Sequence, residues 1–140
     1  GTLLCGGRQL VDGELAKGYF CEPTIAEAPF GHRLWKHEMF LPITMVGVVE
    51  SLDEAMTLEN DADYGLTAGF FGSEEETDWF FENIKAGVAY ANRTHGATTG
   101  AWPGFQPFGG WKGSGSTGKG AGAPYYLPQF MREQSQTRVG

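Results

Sequence analysis

Two serines, each followed three residues later by a glutamate and flanked by apolar residues at helical spacing, mark the clearest elements of the chain. At Ser51…Glu54 the hydroxyl and the carboxylate can satisfy orphan N–H groups of a first helical turn. Leu52, Ala55, Met56 and Leu58 then lie along one face until Asn60-Asp61 ends the helix. Ser73…Glu76 repeats the device, with Trp79, Phe80 and Ile84 as the stripe and Lys85 and Gly87 supplying favourable C-terminal chemistry. Both stripes read as core faces.

Elsewhere the pattern shortens to strands. Thr2 to Leu4 is an apolar run stopped by Gly6-Gly7. Tyr19 to Ile25, interrupted by Pro23, reads as an edge strand, because proline cannot donate to a ladder. Ile43 to Val49 is a β-branched run that suits a strand buried on both faces of a parallel sheet. Leu66 to Phe71 and Val88 to Ala91 complete the set, while Pro29 to Phe40 is too punctuated by proline and glycine to assign. Strand, helix, strand, helix, strand predicts an α/β fold with a parallel sheet and right-handed crossovers. From Arg93 to Ala123 glycine, threonine, proline and aromatics dominate without a period, and so long a stretch is usually functional. Tyr125 to Met131 predicts a short helix, and Gln134 to Val139 an extended polar end that a partner subunit could pair with.

Composition narrows the function classes. A length of 140 residues with 41% hydrophobic and 14% aromatic content supports one buried core. The net charge of −7, with ten scattered Lys and Arg, argues against a nucleic-acid partner. Apolar runs are short, and no charged segment precedes an apolar one, so neither a membrane span nor a signal peptide is expected. The expected location is cytoplasmic, or the mitochondrial matrix for a eukaryotic source. Cys5 and Cys21 sit in apolar contexts without CxxC spacing and read as free packed thiols, with a disulfide or a reactive thiol as the alternative. His32, His37 and His95 lack metal-ligand spacing, and no metal site is expected.

The most informative string runs from Gln106 to Gly115, a Pro-Phe-Gly-Gly turn followed by Lys-Gly-Ser-Gly. Its glycines allow close backbone approach, and Phe108 and Trp111 place two rings on one short loop, as in the wall of a small-molecule site. Gly113 to Gly118 also satisfies G-x-G-x-x-G, and Gly113 to Lys119 nearly satisfies a P-loop. A phosphate cradle needs a strand feeding the loop and a helix leaving it. Neither is predicted here, so both matches read as accidents.

Several islands in order, Glu38 to Pro42, Asn60-Asp61, Tyr64 to Gly69, Gly87, Asn92, Pro107 to Gly110 and Lys112 to Gly115, resemble the C-terminal part of the aldehyde dehydrogenase superfamily. Asn92-Arg93, Thr99 to Ala101 and Gly104 to Gly110 are similar to the 1-pyrroline-5-carboxylate (L-glutamate γ-semialdehyde) dehydrogenases of proline catabolism. The resemblance implies an NAD-dependent oxidation of the semialdehyde to glutamate, with NADP left open. It implies that backbone N–H groups of Gly100 and Ala101 anchor the substrate α-carboxylate and that Phe108 packs on its aliphatic part. Glu38, by itself a solvated loop charge, matches a carboxylate that accepts hydrogen bonds from the nicotinamide ribose, with Phe40 near the nicotinamide. His37 stands where a second glutamate is common, and Leu41 where glycine is usual.

The same resemblance implies a nucleophilic cysteine thiolate and a general base, and neither Cys5 nor Cys21 lies in the nucleophile's context. No catalytic residue is therefore assigned. Residues 1–123 read as the latter half of a catalytic domain and 124–140 as a tail. The expected partners are the aldehyde, the upstream part of the same polypeptide and further copies of itself. An aldehyde dehydrogenase with another substrate, or a truncated non-catalytic binding or oligomerisation module, are the alternatives.

Overall fold

The computed structural model describes residues 1–95, 101, 106–117 and 119–140. These form two compact units, Gly1–Leu58 and Glu59–Gly140.

In the first unit, β1 (Thr2–Cys5), β2 (Thr24–Glu27) and β3 (Ile43–Val46) make one sheet with β2 in the middle. β1 runs antiparallel to β2, and β3 runs parallel to it with Thr24 opposite Ile43 and Glu27 opposite Val46. Central placement of β2 overturns the expected edge strand from Tyr19 to Ile25. Pro23 has no N–H, so the ladder starts only at Thr24, and the residues before Pro23 fold back instead. Cys21 bridges to Gln9, Leu10 N–H donates to the Phe20 carbonyl at 2.9 Å, and Glu22 N–H donates to the Arg8 carbonyl at 3.0 Å. Arg8 grips Glu22 through two nitrogens at 2.8 and 3.3 Å, and this hydrogen bonding holds the Glu22 carboxyl below the usual carboxylate range.

β3 alternates half-buried and exposed positions rather than being buried on both faces, and it ends at Val46, leaving Val48 87% exposed. The packing expected of the cysteines is also not met at Cys5, which is exposed along with the whole of β1; Cys21 is half-buried, and both thiols are free.

Helix α1 (Leu52–Asn60) begins as expected, with Ser51 Oγ accepting from Glu54 N–H at 3.1 Å. The return bond from the glutamate goes one residue further back, to Glu50 N–H at 2.8 Å. Ala55, Met56 and Leu58 are half-buried, but Leu52 is exposed and no residue of the helix is fully buried.

In the second unit β4 (Tyr64–Gly65) pairs antiparallel with β7 (Trp111–Lys112), and β5 (Thr67–Phe70) pairs parallel with β6 (Val88–Ala91). Helix α2 (Glu74–Asn83) connects the parallel pair, the predicted crossover. Its capping box is complete: Ser73 Oγ accepts from Glu76 N–H at 3.2 Å, and Glu76 Oε2 accepts from Ser73 N–H at 2.8 Å. Ala68, Phe80, Ile84, Ala86, Val88 and Ala101 form the core, and the Phe80 ring stacks on Phe70 at 5.1 Å.

Lys85 and Gly87 do not cap α2. Lys85 N–H donates to Asn60 Oδ1 at 2.8 Å, and a Cβ on Gly87 would overlap the Gly109 carbonyl oxygen, so glycine there serves close packing.

Among the described residues the strands thus fall into three small sheets, one mixed, one antiparallel and one parallel. The predicted helix from Tyr125 to Met131 shrinks to a 3₁₀ turn, Pro128–Phe130. Pro128 lacks the N–H that an α-helix from Tyr125 needs for its first hydrogen bond. No described helix is long and apolar enough to cross a membrane.

Candidate active site

Glu38 and Phe40 line one cavity in the first unit, about 350 Å³ in volume, whose walls include Leu34, Trp35, Met39, Ile43 and Met45. Local hydrogen bonds explain why this punctuated segment holds a shape. His32 Nδ1 accepts from Leu34 N–H at 3.3 Å and starts a 3₁₀ turn, Arg33–Trp35. The Trp35 indole N–H reaches the Ala28 and Pro29 carbonyls at 3.3 and 3.1 Å, and its ring packs on Phe30 at 5.1 Å. At the far end Thr24 N–H donates to the Pro42 carbonyl at 2.8 Å and ties the turn to the start of β2.

Between these anchors Phe40 adopts φ 51°, a left-handed backbone that costs a residue with a Cβ about 1 kcal/mol. The chain reversal therefore falls on Phe40, and Leu41 needs no such conformation, which explains how leucine stands where glycine is usual. Phe40 is 90% exposed, and among the described residues no hydrogen bond or ion pair engages the Glu38 carboxylate. A bare carboxylate beside a presented ring at the mouth of this cavity can accept two hydroxyl donors and stack a flat ligand.

The residues expected to hold substrate belong to the second unit. Gly100 lies outside the described residues, as do Thr99 and Gly104-Phe105. Ala101 is buried, 6% exposed, and contributes to the core. Phe108 is half-buried, and its N–H donates to the Ala121 carbonyl at 3.0 Å across an isolated bridge.

The glycine-rich string after Phe108 is fed by a strand, β7, which the sequence reading did not anticipate. Even so, among the described residues its amides are turned to the protein's own carbonyls. The N–H groups of Gly113, Ser114 and Gly115 donate to the carbonyls of Asp63, Trp111 and Lys112 at 2.9, 3.0 and 3.5 Å, and the next helical turn starts only at Pro128.

Several residues among the family marks prove to be clamps. Asn92, at φ 51°, accepts from Gly72 N–H and donates to the Gly72 carbonyl, both at 3.0 Å. Asn60 donates to the Asn83 carbonyl at 2.9 Å while accepting from Lys85 N–H. Ser114 Oγ accepts from Gly65 N–H at 3.1 Å, and Lys112 Nζ donates to the Ala62 carbonyl at 2.8 Å. Nothing in residue type separates such a clamp from a surface amide or ammonium, because its partners are distant in sequence.

A model of the aldehyde dehydrogenase family matches residues 1–135, and the chain belongs to that family. Among its relatives, the 1-pyrroline-5-carboxylate dehydrogenase of Bacillus licheniformis is 37% identical over 137 residues, covering 96% of this chain and 25% of the relative. The crystal structure of 1-pyrroline-5-carboxylate dehydrogenase from Thermus with bound NAD is 39% identical and superposes with a TM-score of 0.81, covering 93% of this chain and 24% of that one. A lactaldehyde dehydrogenase structure is 25% identical with a TM-score of 0.79, covering 95% of this chain and 26% of that one. The chain spans about a quarter of the length of these relatives.

Proposed function

We propose that this chain is part of an NAD-dependent dehydrogenase that oxidises L-glutamate γ-semialdehyde to L-glutamate, contributing nicotinamide-ribose and substrate contacts. The observation that carries the reading is the Glu38 carboxylate, unengaged among the described residues, beside the exposed Phe40 ring on one cavity. Identities of 37% and 39% to 1-pyrroline-5-carboxylate dehydrogenases support the choice of aldehyde.

The residues fit the cofactor in chemical type. Glu38 would accept hydrogen bonds from the ribose diol, as an ionised carboxylate offers acceptors to both hydroxyls. Phe40 would face the nicotinamide with its exposed ring. When bound, NAD supplies the hydride acceptor. In the second unit Gly100 and Ala101 would present backbone N–H groups to the substrate α-carboxylate, and Phe108 would pack on its methylenes. Aldehyde oxidation of this kind also needs a thiolate nucleophile and a base to activate water. We assign neither to Cys5, exposed on β1, nor to Cys21, bridged to Gln9, and propose that another part of a longer polypeptide provides them. Subunit pairing through residues 124–140 belongs to the same reading.

A dehydrogenase of a different aldehyde is the competing reading, favoured by the likeness to lactaldehyde dehydrogenase. Steady-state assay of the longest polypeptide carrying this sequence separates the two. A clear preference in kcat/KM for glutamate semialdehyde over propanal is expected, and equal values on both would reject the narrower substrate.

A further inference from the structure

We propose that Lys112 is a positioning residue, its ammonium locking the arm that leaves the Phe108 turn so that the turn keeps its shape for substrate; this rests on the substrate reading above. The strand pairing of the arm is slight. β7 is two residues long, Trp111–Lys112, paired among the described residues with Tyr64 and Gly65, and so short a ladder does not fix its own register.

Lys112 carries φ 52°, a conformation glycine adopts without strain. What lysine adds at this place is a cation. Its Nζ lies 2.8 Å from the Ala62 carbonyl oxygen and 3.4 Å from that of Asn60, the last residue of α1, where outward-facing carbonyls favour a positive charge. Gly113 N–H on the Asp63 carbonyl and Ser114 Oγ on Gly65 N–H extend the attachment along the arm.

The same Asn60 reaches the other support of the turn. Its side-chain amide holds Asn83 and Lys85, the segment leading to Gly87, and Gly87 packs against the Gly109 carbonyl with no room for a Cβ. One residue, Asn60, thus links the base on which Gly109 rests to the ammonium that fixes the arm at 111–114. Phe108 sits between that arm and its own bond to Ala121. Lys112 is exposed, and its bonds go to main-chain carbonyls, so its loss leaves no buried charge behind.

The test uses the longest polypeptide carrying this sequence, with Lys112→Met and Lys112→Arg variants. For Lys112→Met, KM for glutamate semialdehyde is expected to rise about tenfold while kcat changes less than about twofold. Hydrogen exchange at the Phe108 amide should quicken by a similar factor, and Lys112→Arg should restore most of both. Equal losses on glutamate semialdehyde and propanal, with the Phe108 amide as protected as before, overturn the proposal and leave Lys112 a plain structural contact. If the unmodified enzyme shows no preference for the semialdehyde, the substrate reading fails, and Phe108 exchange alone decides the positioning role. Should Lys112→Met not fold, Ser114→Ala removes only the acceptor for Gly65 N–H and must loosen Phe108 in the same direction.

Discussion

Glu38 is bound to nothing in its own chain among the described residues, and that makes its replacement informative. Glu38→Gln keeps the volume and removes only the charge, so folding should be unaffected. A hydrogen bond to an ionised acceptor contributes about 2 kcal/mol. NAD affinity of the longer polypeptide is therefore expected to fall roughly thirtyfold by titration calorimetry, and a change under threefold would remove Glu38 from the cofactor site. Phe40 presents a different case, since its exposed ring sits on a left-handed backbone. Phe40→Gly relieves the backbone and deletes the ring, so thermal stability should hold or rise slightly while NAD binding weakens.

At the scale of elements, the two helix starts look alike in sequence and differ in structure. Around Ser73 both capping bonds are made, and Ser73→Ala is expected to cost about 1 kcal/mol in denaturant unfolding. The hydrogen bond from Ser73 N–H, together with its hydroxyl, holds the Glu76 carboxyl below its ordinary value. A carboxylate depressed in the folded state stabilises fully above its unfolded pKa and loses that contribution as pH falls through the folded one. The start of α2 should accordingly loosen on acidification past the ordinary carboxylate range, seen as faster amide exchange at Glu76, and Glu76→Gln should flatten that dependence. β2 shows the opposite relation, where one missing donor at Pro23 moved the strand's start and turned the preceding residues into a hairpin with Arg8 to Leu10.

Among the described residues of the whole molecule, six apolar side chains are buried while Leu3, Leu4, Phe20, Tyr64 and Phe130 among many others remain open to solvent. β5 and β6 form a parallel pair, an arrangement that ordinarily has both faces and both edges covered. Apolar area left in water at roughly 25 cal/mol per Å² favours any contact that covers it. The 140-residue chain by itself is expected to self-associate at micromolar concentration, measured by light scattering, and a monodisperse monomer would count against this account. It is also expected to show no aldehyde oxidation, and Cys5→Ser and Cys21→Ser should leave turnover of the longer polypeptide within about twofold.

The local code of this chain settled what short-range chemistry can settle. Ser51 and Ser73 started helices because a hydroxyl three residues from a glutamate meets its partners within one turn. Val88 to Ala91 emerged as a strand with the boundaries its residues set. Family membership was legible because spaced islands of Gly, Pro, Asn and aromatic residues survive being read one dimension at a time. Tertiary structure alone decided that β2 is central and that Asn60, Asn92, Lys112 and Ser114 are clamps. Those outcomes depend on partners 19 to 52 residues away. A hydrogen bond across such a gap leaves no periodicity in the sequence, since loop closure rather than local propensity determines which donors and acceptors meet.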